Sequence, residues 1–141
     1  MSKLILFKTP ANDGQKVFIS GTTTEFTDRL NNNDQDKNFS SDSNAALDFM
    51  FVDEISMAYV YGENIDSFSL QIDDTNVPIT DTKKVQYGDT DFILVQFNKT
   101  SGSKATLTFT REDTSEEMVL IKVYLLNPFM EFEDPKFSQI D

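Results

Sequence analysis

The amino-acid sequence predicts an all-β protein, an antiparallel β-sandwich or jelly roll of eight to ten strands. Three observations carry that prediction. Phe68, Leu70 and Ile72 alternate with Ser67, Ser69 and Gln71, the period of a strand with one wet face. Turn residues punctuate such segments at short intervals, and nothing alternates strand with helix as a parallel sheet would. Thirteen Phe and four Tyr weight the composition toward residues that suit a pleated surface. No period of roughly 20 to 50 residues repeats, which removes propellers and solenoids.

Taken in order, Lys3 to Lys8 reads as a short strand ended by Thr9-Pro10 and the turn-rich Asn12-Asp13-Gly14. Val17 to Ser20 is its hairpin partner or a neighbour. From Gly21 the composition turns polar, and residues 24–44 read as one long loop with room for a helical turn at Glu25 to Leu30. Leu47 to Val52 and Ile55 to Tyr61 are strands on either side of the acidic turn Asp53-Glu54. The stretch Ala58 to Ile72 then reads as an apolar strand, a Gly62-Glu63-Asn64 turn and an alternating strand, a hairpin at the centre of the sheet.

Asp73 to Asn76 is a turn, and Val77 to Thr80 a short strand whose Pro78 places it at an edge. After the turn Tyr87-Gly88-Asp89, Phe92 to Asn98 carries apolar residues on both faces and is predicted to be covered on both. Ala105, Leu107 and Phe109 alternate with Thr106, Thr108 and Thr110, a second half-wet strand. Arg111 to Glu117 is a charged turn, and Met118 to Leu126 a nearly all-apolar central strand closed by Asn127-Pro128.

The 141 residues suit one domain, on a prior of roughly 100 to 200 residues each. Its jelly roll spans residues 1–126, and residues 127–141 form a C-terminal arm or tail. In that arm Phe129, Phe132 and Phe137 stand among Glu131, Glu133, Asp134 and Pro135 without strand or helix period. Two readings stay open: a tail folded back on its own domain, or an arm docked on a neighbouring subunit through those three rings.

Twelve basic and 24 acidic residues give a formal charge of −12. That excess argues against nucleic acid and against anionic membranes as partners. There is no Cys and no His, so disulfides, thiolate metal sites, Cys nucleophiles and a Ser-His-Asp triad are excluded. No run approaches the roughly 18 apolar residues of a membrane span. Met1 to Phe7 is cut short by Lys8 and Pro10, too short for a signal-peptide core. Cytoplasmic synthesis without export is the expectation, which makes the glycosylation triplets at Asn38 and Asn98 coincidental.

Three pieces together resemble the discoidin-like, or galactose-binding-like, jelly-roll family over roughly residues 25 to 126. Leu30 to Asp36, running on to Ser40-Ser41, lies where such domains carry an Asp-rich turn before a tryptophan-serine pair. Ala46-Leu47-Asp48-Phe49 is similar to their valine-aspartate-leucine-glycine strand. Ala58 to Ile65 is similar to the strand and turn that follow. The chain lacks the family's turn glycine and its tryptophan, Phe39 being the nearest aromatic.

Compact relatives occur in bacteriophage virions, and sugar-binding members use tip loops above a structural calcium. The resemblance therefore implies a non-enzymatic structural or decoration-type virion component, contacting other virion proteins in a symmetric multi-copy assembly. The alternative it implies is a carbohydrate-binding module for a surface glycan.

No cofactor is expected beyond that calcium. An EF-hand is rejected, because Lys37 replaces the turn glycine and Ser43 the closing Glu. The looser site would use Asn33, Asp34 and Asp36. Glycan-binding candidates are Phe39, Tyr61, Asn64 and Tyr87, an amide among aromatic rings. The carboxylate pairs Asp53-Glu54, Asp73-Asp74 and Glu116-Glu117 lie in predicted turns, where solvation explains them better than acid–base chemistry. No phosphate-cradling glycine motif occurs, and no enzyme activity is expected.

Overall fold

Twelve strands account for most of the chain: β1 (Leu4–Phe7), β2 (Val17–Ile19), β3 (Phe39–Ser41), β4 (Ala45–Met50), β5 (Glu54–Glu63), β6 (Ile65–Ile72), β7 (Thr75–Asn76), β8 (Ile79–Tyr87), β9 (Thr90–Ser101), β10 (Lys104–Arg111), β11 (Met118–Leu126) and β12 (Pro128–Phe132). The computed structural model describes residues 4–7, 10–13, 15–22 and 39–132, with backbone alone for 4–7 and 128–132. No helix occurs among the described residues.

Two five-stranded antiparallel sheets face each other, ordered β2-β4-β10-β6-β7 and β3-β11-β5-β9-β8, and β1 pairs with β12 in a separate ribbon. Within the sandwich only β6–β7 and β8–β9 are hairpins in one sheet, and every other connection passes between sheets. That crossing pattern is compatible with a jelly roll. Between the sheets, ranks such as Leu47–Leu107–Leu70 meet ranks such as Val123–Val60–Ile93, and these six residues are buried. The burial follows from the alternation, since each inward residue on one strand lies beside an inward residue on the next.

The stretch predicted as a central hairpin is instead a corner between sheets: β5 lies in the second sheet and β6 in the first. Gly62 is held there by close approach, because a Cβ would collide with the Val119 carbonyl oxygen. Asn64 turns the chain with φ 59°, a left-handed conformation that Asn tolerates better than most residues. Asp73 and Asp74, both at positive φ, close the true hairpin between Ile72 and Thr75, the backbone a two-residue type I′ turn demands.

β2 pairs with β4, while β1 pairs with β12, so the first two strands are not partners. The backbone of 128–132 is thus joined to residues 4–7 of the same chain. β8 lies at a sheet edge, as Pro78 implied, but runs on to Tyr87. β3 occupies the end of the stretch predicted as loop, pairing Phe39 with Leu120. Beyond that pair a side chain continues the ladder. Buried Asn12 donates through Nδ2 to the Val123 carbonyl at 2.8 Å and accepts the Leu125 N–H on Oδ1 at 2.9 Å.

Candidate functional site

The two outward faces of the sandwich differ in chemistry. On the first sheet, β6 and β10 set Ser67 opposite Thr110, Ser69 opposite Thr108 and Gln71 opposite Thr106, and Ser67 and Thr110 hydroxyls lie 3.1 Å apart. That face is polar because two half-wet strands are neighbours. On the second sheet the ranks facing away from the core read Tyr124–Tyr59–Leu94–Lys83 and Lys122–Tyr61–Phe92–Val85; Lys122 is buried, Tyr59, Tyr61 and Tyr124 are half-buried, and exposure rises toward β8. The β9 face predicted to be covered is half-buried at Phe92 and Leu94, while Ile93 and Val95 opposite are fully buried.

Rings on this second face form a chain. Tyr59 and Tyr61 centroids are 5.9 Å apart, Tyr61 and Phe92 stack at 5.6 Å with 22° between planes, and Tyr87 meets Phe92 edge-on at 6.1 Å. Burial, and then the proximity of Tyr124, pushes the Tyr59 and Tyr61 hydroxyls above the ordinary tyrosine range. Burial does the same for Tyr124, followed by the nearby Asp13. The ladder ends on β8, where Tyr87 is 72% and Val85 51% exposed. Gly88, at φ 58°, closes the turn that holds Tyr87 there.

Tyr61 and Tyr87, two of the four residues the sequence offers for ligand contact, are therefore brought together through Phe92. Phe39 is elsewhere, on β3, packed half-buried against the core. Asn64 is committed to structure. Its Nδ2 donates to the carbonyls of Asp113 at 2.9 Å, Glu116 at 3.1 Å and Glu117 at 3.4 Å, and its Oδ1 accepts the Asp113 N–H at 2.8 Å. Asn33, Asp34, Asp36 and Phe137 lie outside the described residues. Phe129 and Phe132 lie in β12, where only their backbone is described.

Asn64 pins the 112–117 loop against the β5–β6 corner and so shapes a depression of about 380 Å³ walled by Glu63, Asp89, Glu112, Asp113, Glu116 and Glu117. Hydrogen bonds from the Ser115 hydroxyl and backbone hold the Asp113 carboxyl below the usual aspartate range. Lys84 reaches Glu112 at 3.7 Å, but donates mainly to the Ile65 carbonyl at 2.7 Å. Among the described residues no three acidic side chains converge as a metal would need.

The Asp73-Asp74 pair holds a turn, and Glu54 faces a lysine across the β5–β9 pair. Asp73 Oδ1 accepts the Ser103 and Lys104 N–H groups at 3.2 and 3.1 Å, Asp74 pairs with Lys104 at 3.0 Å, and Glu54 lies 3.8 Å from Lys99. Buried Asp91 accepts the Ile65 N–H at 2.9 Å, behind the corner.

The sequence reading missed Tyr59, Phe92, Tyr124 and Val85, although the signal was present. Tyr59 and Tyr61 stand two apart in an otherwise apolar strand, so both point to the face opposite Ala58 and Val60. No helix among the described residues is long and apolar enough to cross a membrane. No protein-family model matches the chain, and no curated protein is significantly similar to it.

Proposed function

We propose that this chain is a non-enzymatic structural or decoration-type component of a virus particle, acting through protein–protein contacts on the outward face and β8 edge of its second sheet. The observation that carries the contact surface is the asymmetry of the sandwich: Ser and Thr on one face, a Tyr-Phe ladder on the other. Tyrosine and phenylalanine are enriched at protein interfaces, where an amphipathic ring offers both area and a hydrogen bond. The virion setting draws on the resemblance to discoidin-like domains and on an acidic composition that disfavours nucleic acid and membranes.

A glycan-binding role would draw on Tyr61 and Tyr87 being neighbours of one ring. Sugar stacking requires exposed ring faces, however, and the 22° stack of Tyr61 on Phe92 turns those faces toward each other. Protein contact is the better fit. Particles purified from the native host, analysed by mass spectrometry and surface footprinting, test the proposal. The expected result is a fixed copy number per particle with Tyr59, Tyr61 and Tyr87 protected relative to the free protein. Absence from particles overturns it, and calcium-dependent binding on a glycan array favours the alternative.

A further inference from the structure

Edge strand β8 combines properties that point to a specific occupant. It hydrogen-bonds to β9 on one side, and no strand among the described residues pairs with the other. Its outward residues include Asp81 and Lys83, placed opposite Gln96 and Leu94 of β9. Neither has a side-chain hydrogen bond or ion pair among the described residues. One acid and two lysines give β8 a net charge of +1 in a chain of −12, so this edge carries both signs of charge and not the acidic excess of the chain.

We propose that the free edge of β8 pairs antiparallel with the same edge of a second copy of this chain, about a two-fold axis at Thr82. A two-fold interface is self-complementary, so each contact occurs twice. This centre sets Asp81 opposite Lys83 of the second copy and Lys83 opposite its Asp81, both on the outward face. Cross-strand pairs of opposite charge stabilise a sheet, and like charges destabilise it. Other registers fail that test. An axis at Lys83 or Lys84 opposes identical ammonium groups, one at Val85 sets Asp81 against Asp89, and later centres run into the turn at Gly88.

Lysine and the bulge between Ile79 and Asp81 are also devices that discourage edge pairing. Lysine alone would do that; an aspartate two residues along the same face, unpaired among the described residues, supplies its complement. Pairing at Thr82 also brings Val85 and Tyr87, 51% and 72% exposed, to the border of the second copy. The two second sheets would form one ten-stranded sheet.

The inference deepens the assembly reading and rests on it for its biological setting. Analytical ultracentrifugation of the full chain tests it. The wild type is expected to dimerise, and Lys83→Glu or Asp81→Lys alone to weaken the dimer at least about tenfold. Mixing those two single variants is expected to restore a heterodimer, and the double swap Asp81→Lys with Lys83→Asp to restore a homodimer. Circular dichroism and melting confirm that each variant is folded.

A wild type that stays monomeric up to about 1 mM, a dimer indifferent to both single reversals, or a double swap that fails to restore pairing overturns the inference. Normal incorporation of a monomeric Lys83→Glu chain into particles overturns β8 as an assembly contact alone. Absence of the wild type from particles overturns the virion reading and leaves the solution dimer standing.

Discussion

Replacing Asn64 tests whether one side chain holds the acidic end of the sandwich together. Gly, Ala and Asp at this position separate its two roles. Gly keeps the φ of 59° without strain but loses the amide that bonds the Asp113, Glu116 and Glu117 carbonyls and the Asp113 N–H. Three of those four contacts lie between 2.8 and 3.1 Å. A net value of about 0.5–1.5 kcal/mol each, taken at the low end because the loop is exposed, gives a loss of about 1.5–2 kcal/mol. Ala loses the same bonds and adds about 1 kcal/mol of left-handed strain. Asp keeps the acceptor but turns a carboxylate oxygen toward three carbonyls among six acids, so it should cost most at neutral pH and recover as pH falls. Urea unfolding with a constant m-value reads each difference. Gly and Ala variants within about 0.5 kcal/mol of wild type, or an Ala variant as stable as Gly, would refute the assignment.

Three further outcomes follow from the geometry. Asn12→Ala leaves the Val123 carbonyl and Leu125 N–H buried and unpaired, a loss of about 2–5 kcal/mol; amide exchange at Leu125 should quicken, and unchanged exchange would contradict the ladder role. Gly62→Ala drives a methyl into the Val119 carbonyl and should cost about 3 kcal/mol or more, read as a lower melting temperature. The hydroxyls of Tyr59, Tyr61 and Tyr124 are raised above 10.0 by burial. A raised folded-state pKa means their contribution is fully present below pH 10 and is lost as pH rises through the folded values. Ultraviolet titration of tyrosinate should therefore show three groups ionising late, with stability falling over that alkaline window. Three titrations at the free-tyrosine value would contradict their burial.

Sequence alone exposed what local period encodes and missed what only long-range pairing supplies. The alternations at Phe68–Ile72 and Ala105–Phe109 became β6 and β10 because one face of each meets the core. The all-apolar Met118–Leu126 became the interior strand β11 for the complementary reason. Ala58–Ile72 looked like a hairpin because strand, turn and strand are adjacent, yet nothing in a two-residue period says which sheet the second strand joins. The collision awaiting a Cβ at Gly62, not the turn composition, marks the corner. Most of β8 was invisible, since an edge strand with both faces near water need carry no apolar stripe. For β12 the stabilising partner is β1, more than a hundred positions away, so its own sequence carries no period. The candidate contacts were half-legible: Tyr61 and Tyr87 were visible as residues, but their union through Phe92 depends on the β5–β9–β8 order.

That strand order also links the aromatic ladder to the edge. Because β8 follows β9 in the sheet, the Tyr59–Tyr61–Phe92 rings lead directly to Tyr87 and Val85 at the free margin. Pairing across that margin would cover the backbone edge beside the ladder with a second molecule. A partner docking flat on the face would need the rings alone, whereas a partner adding a strand needs the backbone of β8 and the charges at 81 and 83. The two modes are separable by substitution. Tyr61→Ser should weaken face docking while leaving edge pairing within about twofold, and Lys83→Glu should do the reverse. If both changes abolish the same contact, the face and the edge act as one interface, the arrangement a ten-stranded sheet would produce in an assembly.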